Sequence, residues 1–375
     1  MKANGERTFS APGRVEIGGN HTDHQHGRVL ACAVNLEAKC KARANGTSLV
    51  HIADERYGSE TVDLSDLQVR EDEKGTSAAL IRGVAAWFKE KGYAYGGFDA
   101  TITSDIPAGS GLSSSAAFEV LIGNVFKGLF GAAASPLDIA LAGQFAENVY
   151  FGKPCGLMDQ AASSFGGLVM IDFANPNEPI VRNIPLSLSD YMLCVVDTKG
   201  SHADLTDEYA AVPLEMKKIA NHFGKEYLRE VEPDIFYADI ANLRQYGDRA
   251  VLRGMHFFGE NDRVLKQAKA LEQGEIDDFL KLVIESGLSS FSRLQNIYPA
   301  GSIKEQEMNL ALSLSQEILF GKGAWRVHGG GFAGTILAFV PISLKEVYQK
   351  RMSAVFGNDC CHFLSVRAEG GIELR

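Results

Sequence analysis

The pattern of apolar and polar positions predicts paired strands near the start of the chain. Residues 29–44, VLACAVNLEAKCKARA, alternate repeatedly between the two kinds of position and include β-branched side chains, as a half-buried strand does. A second strand-like run, SLVHIAD at 48–54, follows the step Asn45-Gly46, which favours a tight turn. We therefore predict a β-hairpin made of these two strands.

Farther along, the spacing of apolar residues becomes helical in several places. The segment 77–91 predicts a helix that stops at Gly92, and 135–151 predicts another that has Ser135 as its N-cap and Pro136 in its first turn. Mostly amphipathic helices are predicted from 205 to about 316. Further predicted elements are strands at 97–106, 167–173, 191–198 and 362–374, helices at 113–131 and 343–355, and a strand–glycine–strand feature at 325–341.

One break in this pattern indicates the domain organisation. A run rich in proline and asparagine, ANPNEPIVRNIP at 174–185, separates the strand 167–173 from the strand 191–198. A chain of 375 residues exceeds what one core usually organises, so we predict two domains, 1–185 and 186–375. Strands and helices interleave without regular βαβ units, which favours an α+β fold over a doubly wound sheet.

Charge and cysteine content exclude several classes of function. The formal net charge is −10 and the 37 lysines and arginines are scattered, so no nucleic acid partner is expected, although a small anionic ligand remains possible. The six cysteines show no CxxC pair, which disfavours a zinc ribbon or a disulfide framework. No apolar signal region opens the chain, and no apolar run has membrane-spanning length. We expect a cytoplasmic protein with reduced thiols and no membrane partner.

The most specific local signal is a glycine- and serine-rich segment, PAGSGLSSSAAFEV at 107–120. Its glycines let the backbone approach a ligand, and its three successive serines place hydroxyls and free amides at a helix start, which favours an anion. The segment lacks the lysine of a Walker loop and the third glycine of GxGxxG, so it matches neither of those phosphate sites. Taken alone, it fits an ordinary glycine turn with a serine cap equally well.

Two carboxylates follow in FAENVYFGKPCGLMDQ at 145–160. If Asp159 lay beside the glycine- and serine-rich segment, it could accept a hydroxyl proton while Glu147 helped to hold Mg²⁺ against phosphates. Considered separately, Asp159 could instead cap the helix that follows it, and Glu147 could lie on a solvated helix face.

Two other segments combine histidine with glycine. The loop GGNHTDHQHG at 18–27 suits a metal site, a catalytic site or a plain polar loop, because His and Asp serve all these purposes through the same lone pairs. The segment VHGGGFAG at 327–334 lies between two apolar strands. It predicts a close approach of backbone to a ligand or to another backbone, and a simple hairpin kink is equally consistent.

Together these segments resemble the GHMP kinase superfamily, and within it the galactokinases. Three family motifs occur in order as APGRVEIGGNHTDH at 11–24, PAGSGLSSSAAFEV at 107–120 and HGGGFAG at 328–334. Between the last two, FGKPCGLMDQ at 151–160 resembles the segment that carries the catalytic aspartate. The joint occurrence of these motifs in this order is far more specific than any one of them.

The resemblance implies a two-domain GHMP kinase fold. An ATP- and sugar-binding domain of the ribosomal protein S5 domain 2-like type would span 1–185, and a C-terminal GHMP domain, a ferredoxin-like α/β sandwich, would span 186–375. It also implies an ATP-dependent sugar 1-kinase that uses Mg²⁺ and converts galactose to galactose 1-phosphate with release of ADP. We expect a monomer or a homodimer whose partners are a small sugar and ATP.

The resemblance further assigns roles to single residues. Asp159 matches the catalytic base, and Arg14 matches the arginine that pairs with it and stabilises the reacting oxygen. The positions that match Mg²⁺ ligands are Ser115 and Glu147. The positions that match sugar contacts are Asn20, His21, Asp23, Gly156 and Tyr209. The positions expected to contact ATP are Gly109, Ser110, Gly111, Leu112, Ser113, Ser114 and Ser115.

Under this interpretation the loop 18–27 is a sugar clamp. Asp23 would accept hydrogen bonds from two hydroxyls and His21 would bind an adjacent one, so that a missing or inverted hydroxyl leaves a buried partner unpaired. A zinc site is the rival interpretation, since the loop is dense in possible ligands. Its spacing differs from that of a helical HExxH, and it would leave the glycine- and serine-rich segment without a role.

Departures from the family bear on the choice of sugar. Galactokinases usually carry a glutamate and a tyrosine where this chain has Asn20 and His24, and that glutamate belongs to the pocket near C6 of the sugar. Its loss would remove repulsion against a C6 carboxylate, so galacturonate is the second candidate after galactose. Ser77 replaces an aromatic residue that stacks on adenine in some galactokinases, which leaves the base pocket unassigned. A non-catalytic regulator that binds galactose and ATP is a further alternative, against which the retained catalytic residues argue.

Overall fold

A computed structural model describes residues 5–54, 58–107, 110–185, 188–200 and 205–374. Its strands form an eight-stranded sheet and a separate four-stranded sheet. The strands are β1 (Arg7–Gly18), β2 (Arg28–Ala44), β3 (Leu49–Asp54), β4 (Gly58–Asp63), β5 (Phe98–Ser104), β6 (Leu168–Asp172), β7 (Ile180–Ile184), β8 (Tyr191–Asp197), β9 (Ala324–Val327), β10 (Thr335–Pro341), β11 (Cys361–Leu364) and β12 (Ile372–Leu374).

The larger sheet is organised around the long strand β2. Its strand order is β12-β1-β2-β5-β3-β4, and β6 pairs with both β2 and β7. The first part of β2, Arg28–Cys32, pairs with β6, and the last part, Ala38–Ala44, pairs with β5. The smaller sheet has the order β11-β8-β10-β9, and its described pairs are antiparallel. Mainly antiparallel sheets, with one parallel pair of strands in the larger one, combined with helices agree with the predicted α+β class.

The predicted hairpin of β2 and β3 is wrong, because β5 lies between these two strands. β5 pairs antiparallel with β2 and parallel with β3, and β3 forms its hairpin with β4 instead. The backbone of Gly97 enters the turn after β2, where its N–H donates to Thr47 and its carbonyl accepts from Asn45. A Cβ at Gly97 would overlap Leu49 and Thr47, so this insertion requires glycine.

The helices occur close to where apolar spacing predicts them. Ser135 and Asp138 form a capping box at the start of the helix predicted over 135–151, but that helix widens to π-helical geometry over Ala146–Phe151. The α-helices are α1 (Ser77–Glu90), α2 (Ser114–Phe130), α3 (Pro136–Phe145), α4 (Met158–Phe165), α5 (Thr206–His222), α6 (Pro233–Ala238), α7 (Ile240–Leu243), α8 (Asp248–Gln273), α9 (Ile276–Ser289), α10 (Glu307–Leu319) and α11 (Lys345–Phe356).

Helices cover the sheets and bury their apolar side chains. α2 and α4 pack on β1 and β2, while α9, α10 and α11 pack on strands of the smaller sheet. Phe126 of α2 and Phe9 of β1 are fully buried in the main core, and each such side chain stabilises the fold by roughly 1.5–3 kcal/mol. This packing fixes the ends of β1, α2 and α4 relative to one another. In the described residues we find no helix with the length and apolar character needed to cross a bilayer.

The segment 174–185 is not only a connection, because it contains β7, which pairs with β6 at one end of the larger sheet. β8 starts the smaller sheet shortly afterwards. The end of the chain returns to the larger sheet, where β12 pairs with β1. The division into domains at 185/186 stays a prediction.

Candidate active site

The three predicted motifs meet at one place in the fold. The backbone N–H of Arg14, in β1, donates to the carbonyl of Leu112 at 3.1 Å and joins the first motif to the second. A Cβ at Gly111 would crowd Thr335 and His328, so the second motif also lies against the third. Gly111 has a φ of +72°, which glycine adopts without strain. Segments that are distant in sequence therefore form a single site.

Asp159 lies in the first turn of α4 and forms a bidentate ion pair with Arg14. Nε and Nη2 of Arg14 donate to the two carboxylate oxygens, both at 2.6 Å. The hydroxyl of Ser113, at the start of α2, donates to Oδ2 of Asp159 at 2.8 Å. Arg14 also donates to the carbonyl of Gly111. The carboxylate is thus fixed beside the glycine- and serine-rich segment, as the motifs predict, rather than serving only as a helix cap.

The surroundings of Asp159 keep its carboxyl group ionised. Burial alone would raise the pKa, but the charge of Arg14 and the hydrogen bonds from Arg14 and Ser113 outweigh burial and hold the pKa of Asp159 below its ordinary value. Because the folded-state pKa is lower than the unfolded one, the ion pair adds to stability above the unfolded pKa. That contribution is lost as the pH falls through the folded pKa.

Ser115 and Glu147 are brought together in the way a cation site requires. Oγ of Ser115 donates to Oε1 of Glu147 at 3.2 Å, and Nζ of Lys153 lies 3.4 Å from the same oxygen. Glu147 lies in the π-helical turn after α3 and is only 3% exposed, so the alternative of a solvated face carboxylate is wrong. A hydroxyl and a carboxylate side by side are hard oxygen donors of the kind that Mg²⁺ prefers.

The side-chain amide of Gln160 links the carboxylates of Glu147 and Glu119, and the motifs do not predict this link. Nε2 of Gln160 donates to Oε2 of Glu147 and to Oε2 of Glu119, both at 2.9 Å. Glu119 is fully buried, and burial followed by the charge of Glu147 raises its pKa well above the usual range. Gln160 directly follows Asp159 in the chain, but no periodicity indicates that its amide turns toward Glu147.

Asp23 and Gly156 lie in direct contact. A Cβ at Gly156 would overlap Oδ2 of Asp23, so any larger residue there would displace this carboxylate from the segment that precedes α4. Burial raises the pKa of Asp23, against the hydrogen bond from the backbone N–H of His24, and the negative charge of Asp159 adds to the increase. The carboxylate of Asp23 thus faces the part of the chain that carries Asp159.

His21 is held in one tautomer by the glycines of the third motif. Its Nε2 lies 2.9 Å from the carbonyl oxygen of Gly330 and must donate to it, and its Nδ1 lies 3.3 Å from Nε2 of His24. Burial lowers the pKa of His21 to about 4, so the ring is neutral at physiological pH. The backbone of His21 has a φ of +56°, an uncommon value for a residue other than glycine.

Three successive carbonyls of the triglycine loop, residues 329–331, accept hydrogen bonds from predicted sugar-contact side chains. Gly329 accepts from Nδ2 of Asn20 at 2.7 Å, Gly330 from His21, and Gly331 from the hydroxyl of Tyr209 at 2.8 Å. Gly329 and Gly331 have positive φ angles of +67° and +82°. These contacts are to side chains, which the sequence did not predict, whereas the predicted approach of backbone to backbone occurs at Gly331, where a Cβ would overlap the carbonyl oxygen of Asn296.

Asn20 occupies a different environment from the other predicted sugar contacts. It is 1% exposed, and its carboxamide bonds to Glu16, Gly329, Ser290 and Asn296. A direct sugar contact by Asn20 stays a prediction. Ser290 and Asn296 come from segments without a motif, so the sequence carries no signal for their part in the site.

The histidines of loop 18–27 do not share a common centre. His21 and His24 bond to each other, whereas the ring of His26 stacks on Tyr227 with 3.7 Å between ring centroids. In the part of the chain that the structure describes, no three His, Cys, Asp or Glu side chains are grouped as a metal would require. This geometry does not support the zinc interpretation of the loop.

A cavity of about 510 Å³ opens beside the start of α2. Its lining includes polar Ser77, Ser114 and Ser115 next to apolar side chains from β3, α1, β5, α2 and the turn after α3, namely Ile52, Leu80, Ile102, Phe118 and Phe151. The hydroxyl of Ser77 donates to Glu60. An apolar cavity adjoining free helix amides is suited to a nucleotide, whose base is planar and whose phosphates are anionic.

The other predicted ATP contacts differ in their surroundings. Ser110 is 3% exposed and its hydroxyl donates to the carbonyl of Pro107 at 2.7 Å, and Leu112 is fully buried. Gly109 lies outside the described residues.

Comparisons with known proteins give the family. A model of the GHMP kinases N terminal domain matches residues 79–167, and a galactokinase galactose-binding signature matches residues 2–42. A curated galactokinase of Glaesserella parasuis serovar 5 (strain SH0165) is 32% identical over 354 residues, which cover 92% of this chain and 88% of that protein. This chain belongs to the galactokinase family. The predicted family membership is therefore confirmed.

Solved structures show the same fold. The crystal structure of Lactococcus lactis galactokinase complexed with galactose matches with a TM-score of 0.85 at 24% identity, over 98% of this chain and 95% of that one. A D-glycero-D-manno-heptose 1-phosphate kinase from Bacteriodes thetaiotaomicron matches with a TM-score of 0.64 at 19% identity, over 98% of both chains. The predicted GHMP kinase fold is confirmed by these matches. The prediction of a kinase of the galactokinase family is confirmed by the curated relative and the galactose-binding signature.

Proposed function

We propose that the protein transfers the γ-phosphoryl group of ATP to the anomeric hydroxyl of galactose, which yields galactose 1-phosphate and ADP. The observation that carries the proposal is the position of the Asp159 carboxylate, bonded both to Arg14 and to Ser113 at the start of α2. A base within one hydrogen bond of a phosphate-binding helix start is the arrangement that attack of a hydroxyl on a nucleotide needs. The galactose-binding signature and the galactokinase relative support galactose as the acceptor.

The proposed reaction moves one proton and one phosphoryl group. Asp159 accepts the proton of the anomeric hydroxyl while that oxygen bonds to the γ-phosphorus, and the bond from this phosphorus to the bridging oxygen of ADP breaks. A positioned base contributes about 10²–10⁴-fold to the rate of such a step. Arg14 keeps Asp159 ionised and offers positive charge near the reacting oxygens. The backbone amides at the start of α2 bind phosphate oxygens.

We propose Ser115 and Glu147 as the residues that hold Mg²⁺. Their adjacent oxygens provide a hard donor pair at the helix start that the phosphates would occupy. When bound, the ion would supply charge neutralisation for the phosphate oxygens. Gln160 orients Glu147 from the opposite side by donating to its second carboxylate oxygen.

We propose that His21, Asp23, Gly156 and Tyr209 surround the sugar. Galacturonate gains no support over galactose, because the matched signature and the curated relative are those of galactokinases. Oε1 of Glu16 lies 3.0 Å from Nδ2 of Asn20, and Arg326 pairs with that carboxylate at 2.6 Å. Because Arg326 balances the charge of Glu16, this pair does not select between galactose and galacturonate.

ADP release tests the proposal across galactose, galacturonate, N-acetylgalactosamine, glucose and arabinose. We expect release that requires a sugar and is fastest with galactose. Fastest release with galacturonate would overturn the choice of substrate. Binding of ATP and galactose without any ADP release would identify a regulator instead of an enzyme.

Replacing Gly156 with alanine is expected to raise the KM for galactose about 10- to 100-fold, because the new methyl group displaces the carboxylate of Asp23 from its position. The KM for ATP should stay unchanged. Steady-state kinetics with each substrate varied in turn measures both values. Gly259→Ala is a matched control, since its Cβ would meet nothing closer than 3.5 Å. A galactose KM equal to that of the control would contradict the placement of Asp23.

We also propose a cytoplasmic setting. The six cysteines are free thiols, four of them buried, as is usual for proteins of a reducing compartment.

A further inference from the structure

A buried network of polar side chains joins the end of β1 to the triglycine loop. Asn20 lies at its centre, with Glu16 and Arg326 on one side and Asn296 on the other. Arg326 is fully buried, and Glu16 is 4% exposed. Paired buried polar groups hold a defined geometry, and here the Asn20 carboxamide is paired throughout, whereas Oδ1 of Asn296 and Nε and Nη1 of Arg326 have no partner among the described residues.

The hydrogen-bonding capacity of the Asn20 carboxamide is used within the protein. Its two N–H groups donate to Oε1 of Glu16 at 3.0 Å and to the carbonyl of Gly329 at 2.7 Å. Its oxygen accepts from Asn296 at 2.9 Å and from Ser290 at 3.3 Å. An amide has two donor hydrogens and two acceptor lone pairs, so no capacity remains for a sugar hydroxyl.

The bond to Gly329 bears on the orientation of His21. The next carbonyl of the loop, that of Gly330, accepts from Nε2 of His21 at 2.9 Å and from Asn296 at 3.1 Å. A change in the direction of the Gly329 carbonyl would rotate the peptide units that follow it. The acceptor that fixes the tautomer and ring position of His21 would then move.

We propose that Asn20 is a positioning residue, which orients the triglycine loop and through it His21, rather than a contact to the sugar. The effect on turnover rests on the function proposed above, whereas the effect on the loop does not. One carboxylate, that of Glu16, and one guanidinium, that of Arg326, balance in this buried network. Asn20 contributes donors to both Glu16 and Gly329 without adding a second charge.

Asn20→Asp is the sharpest test, because it keeps the size of the side chain and removes both donors. The new carboxylate would face Glu16 and the Gly329 carbonyl, so we expect a lower melting temperature. We also expect faster amide exchange in the peptide that contains residues 328–335, and a fall in kcat/KM for galactose of about 10- to 100-fold. The KM for ATP should change little. Asn124→Asp is the matched control, since Asn124 is a buried asparagine that donates to Val120 within α2.

The double variant Glu16→Gln with Asn20→Asp separates positioning from stability. It restores one carboxylate and one amide, so the melting temperature should recover, but the Gly329 carbonyl still lacks its donor. Loop exchange and the loss in kcat/KM for galactose should therefore persist. Recovery of all three properties together, or unchanged exchange and galactose kinetics in the Asn20→Asp variant, would overturn the proposal.

Asn20→Ala removes both donors without adding charge and covers the case in which Asn20→Asp does not fold. Faster loop exchange in the alanine variant supports the proposal, and unchanged exchange overturns it. If the wild-type protein released no ADP with any sugar, the proposed function would fail. Loop exchange in these variants would still decide the role of Asn20.

Discussion

The Asp159→Asn variant is expected to lose turnover while it retains ATP binding. Asparagine keeps an oxygen that accepts from Arg14 but cannot take a proton from the sugar, so kcat should fall by about 10²–10⁴-fold or more. ATP contacts the start of α2 in our proposal, and this substitution leaves the backbone amides there unchanged. Steady-state kinetics and calorimetric titration with a non-hydrolysable ATP analogue measure the two quantities.

Asp172→Asn is a suitable control for the loss of an ion-paired aspartate. Asp172 pairs with Arg28 at 2.6 Å and with Arg229 at 3.1 Å, away from the phosphate-binding helix start. We expect this variant to have reduced stability and near-normal kcat. Near-normal turnover of the Asp159→Asn variant would remove Asp159 from the role of base.

Removal of Arg14 is expected to move the acid limb of the pH profile. In the Arg14→Met variant burial is no longer opposed by the guanidinium, so the pKa of Asp159 rises and the base becomes protonated at a higher pH. The acid limb of kcat/KM for galactose should therefore shift to higher pH. At the optimum, kcat should fall by about 10²–10³-fold because charge stabilisation of the reacting oxygens is lost.

Arg14→Lys tests whether the acid limb and kcat depend on the positive charge of Arg14 or on its bidentate geometry. Lysine keeps a positive charge but cannot reproduce the two parallel bonds of 2.6 Å, so it should restore much of the limb position and little of kcat. Arg14→Met should lower the stability of the fold as well as kcat. In the wild type the Asp159 contribution is lost as the pH falls through the lowered folded pKa, whereas in Arg14→Met the ion pair that makes this contribution is absent and the buried carboxylate lacks its cation. An acid limb that does not move in Arg14→Met would refute the assigned cause of the pKa shift.

The site could be predicted from sequence to the extent that its motifs carry their own local chemistry. Ser113 follows two glycines and starts a helix, and Asp159 lies in the first turn of another helix, so each has a defined place before any packing is known. That Arg14 bridges them depends on β1 lying next to both helices. Only the joint order of the motifs, through the family resemblance, indicates this arrangement.

Other features depend on tertiary packing and cannot be predicted from the pattern of apolar and polar residues. Alternation identifies β2 and β3 as strands but not their neighbours, and the insertion of β5 between them depends on Gly97. In the same way, the carboxamide of Asn20 could face a sugar or the interior. Partners such as Asn296, far along the chain, determine which one it faces.

The most direct test of the central claim is to identify the product. Phosphorus and proton NMR of a reaction containing ATP, Mg²⁺ and galactose should show a phosphoryl group on the anomeric oxygen of galactose, formed in equal amount with ADP. No such product should form with the Asp159→Asn variant. Inorganic phosphate as the only phosphorus product besides ADP, or a phosphoryl group on another hydroxyl of the sugar, would contradict the account.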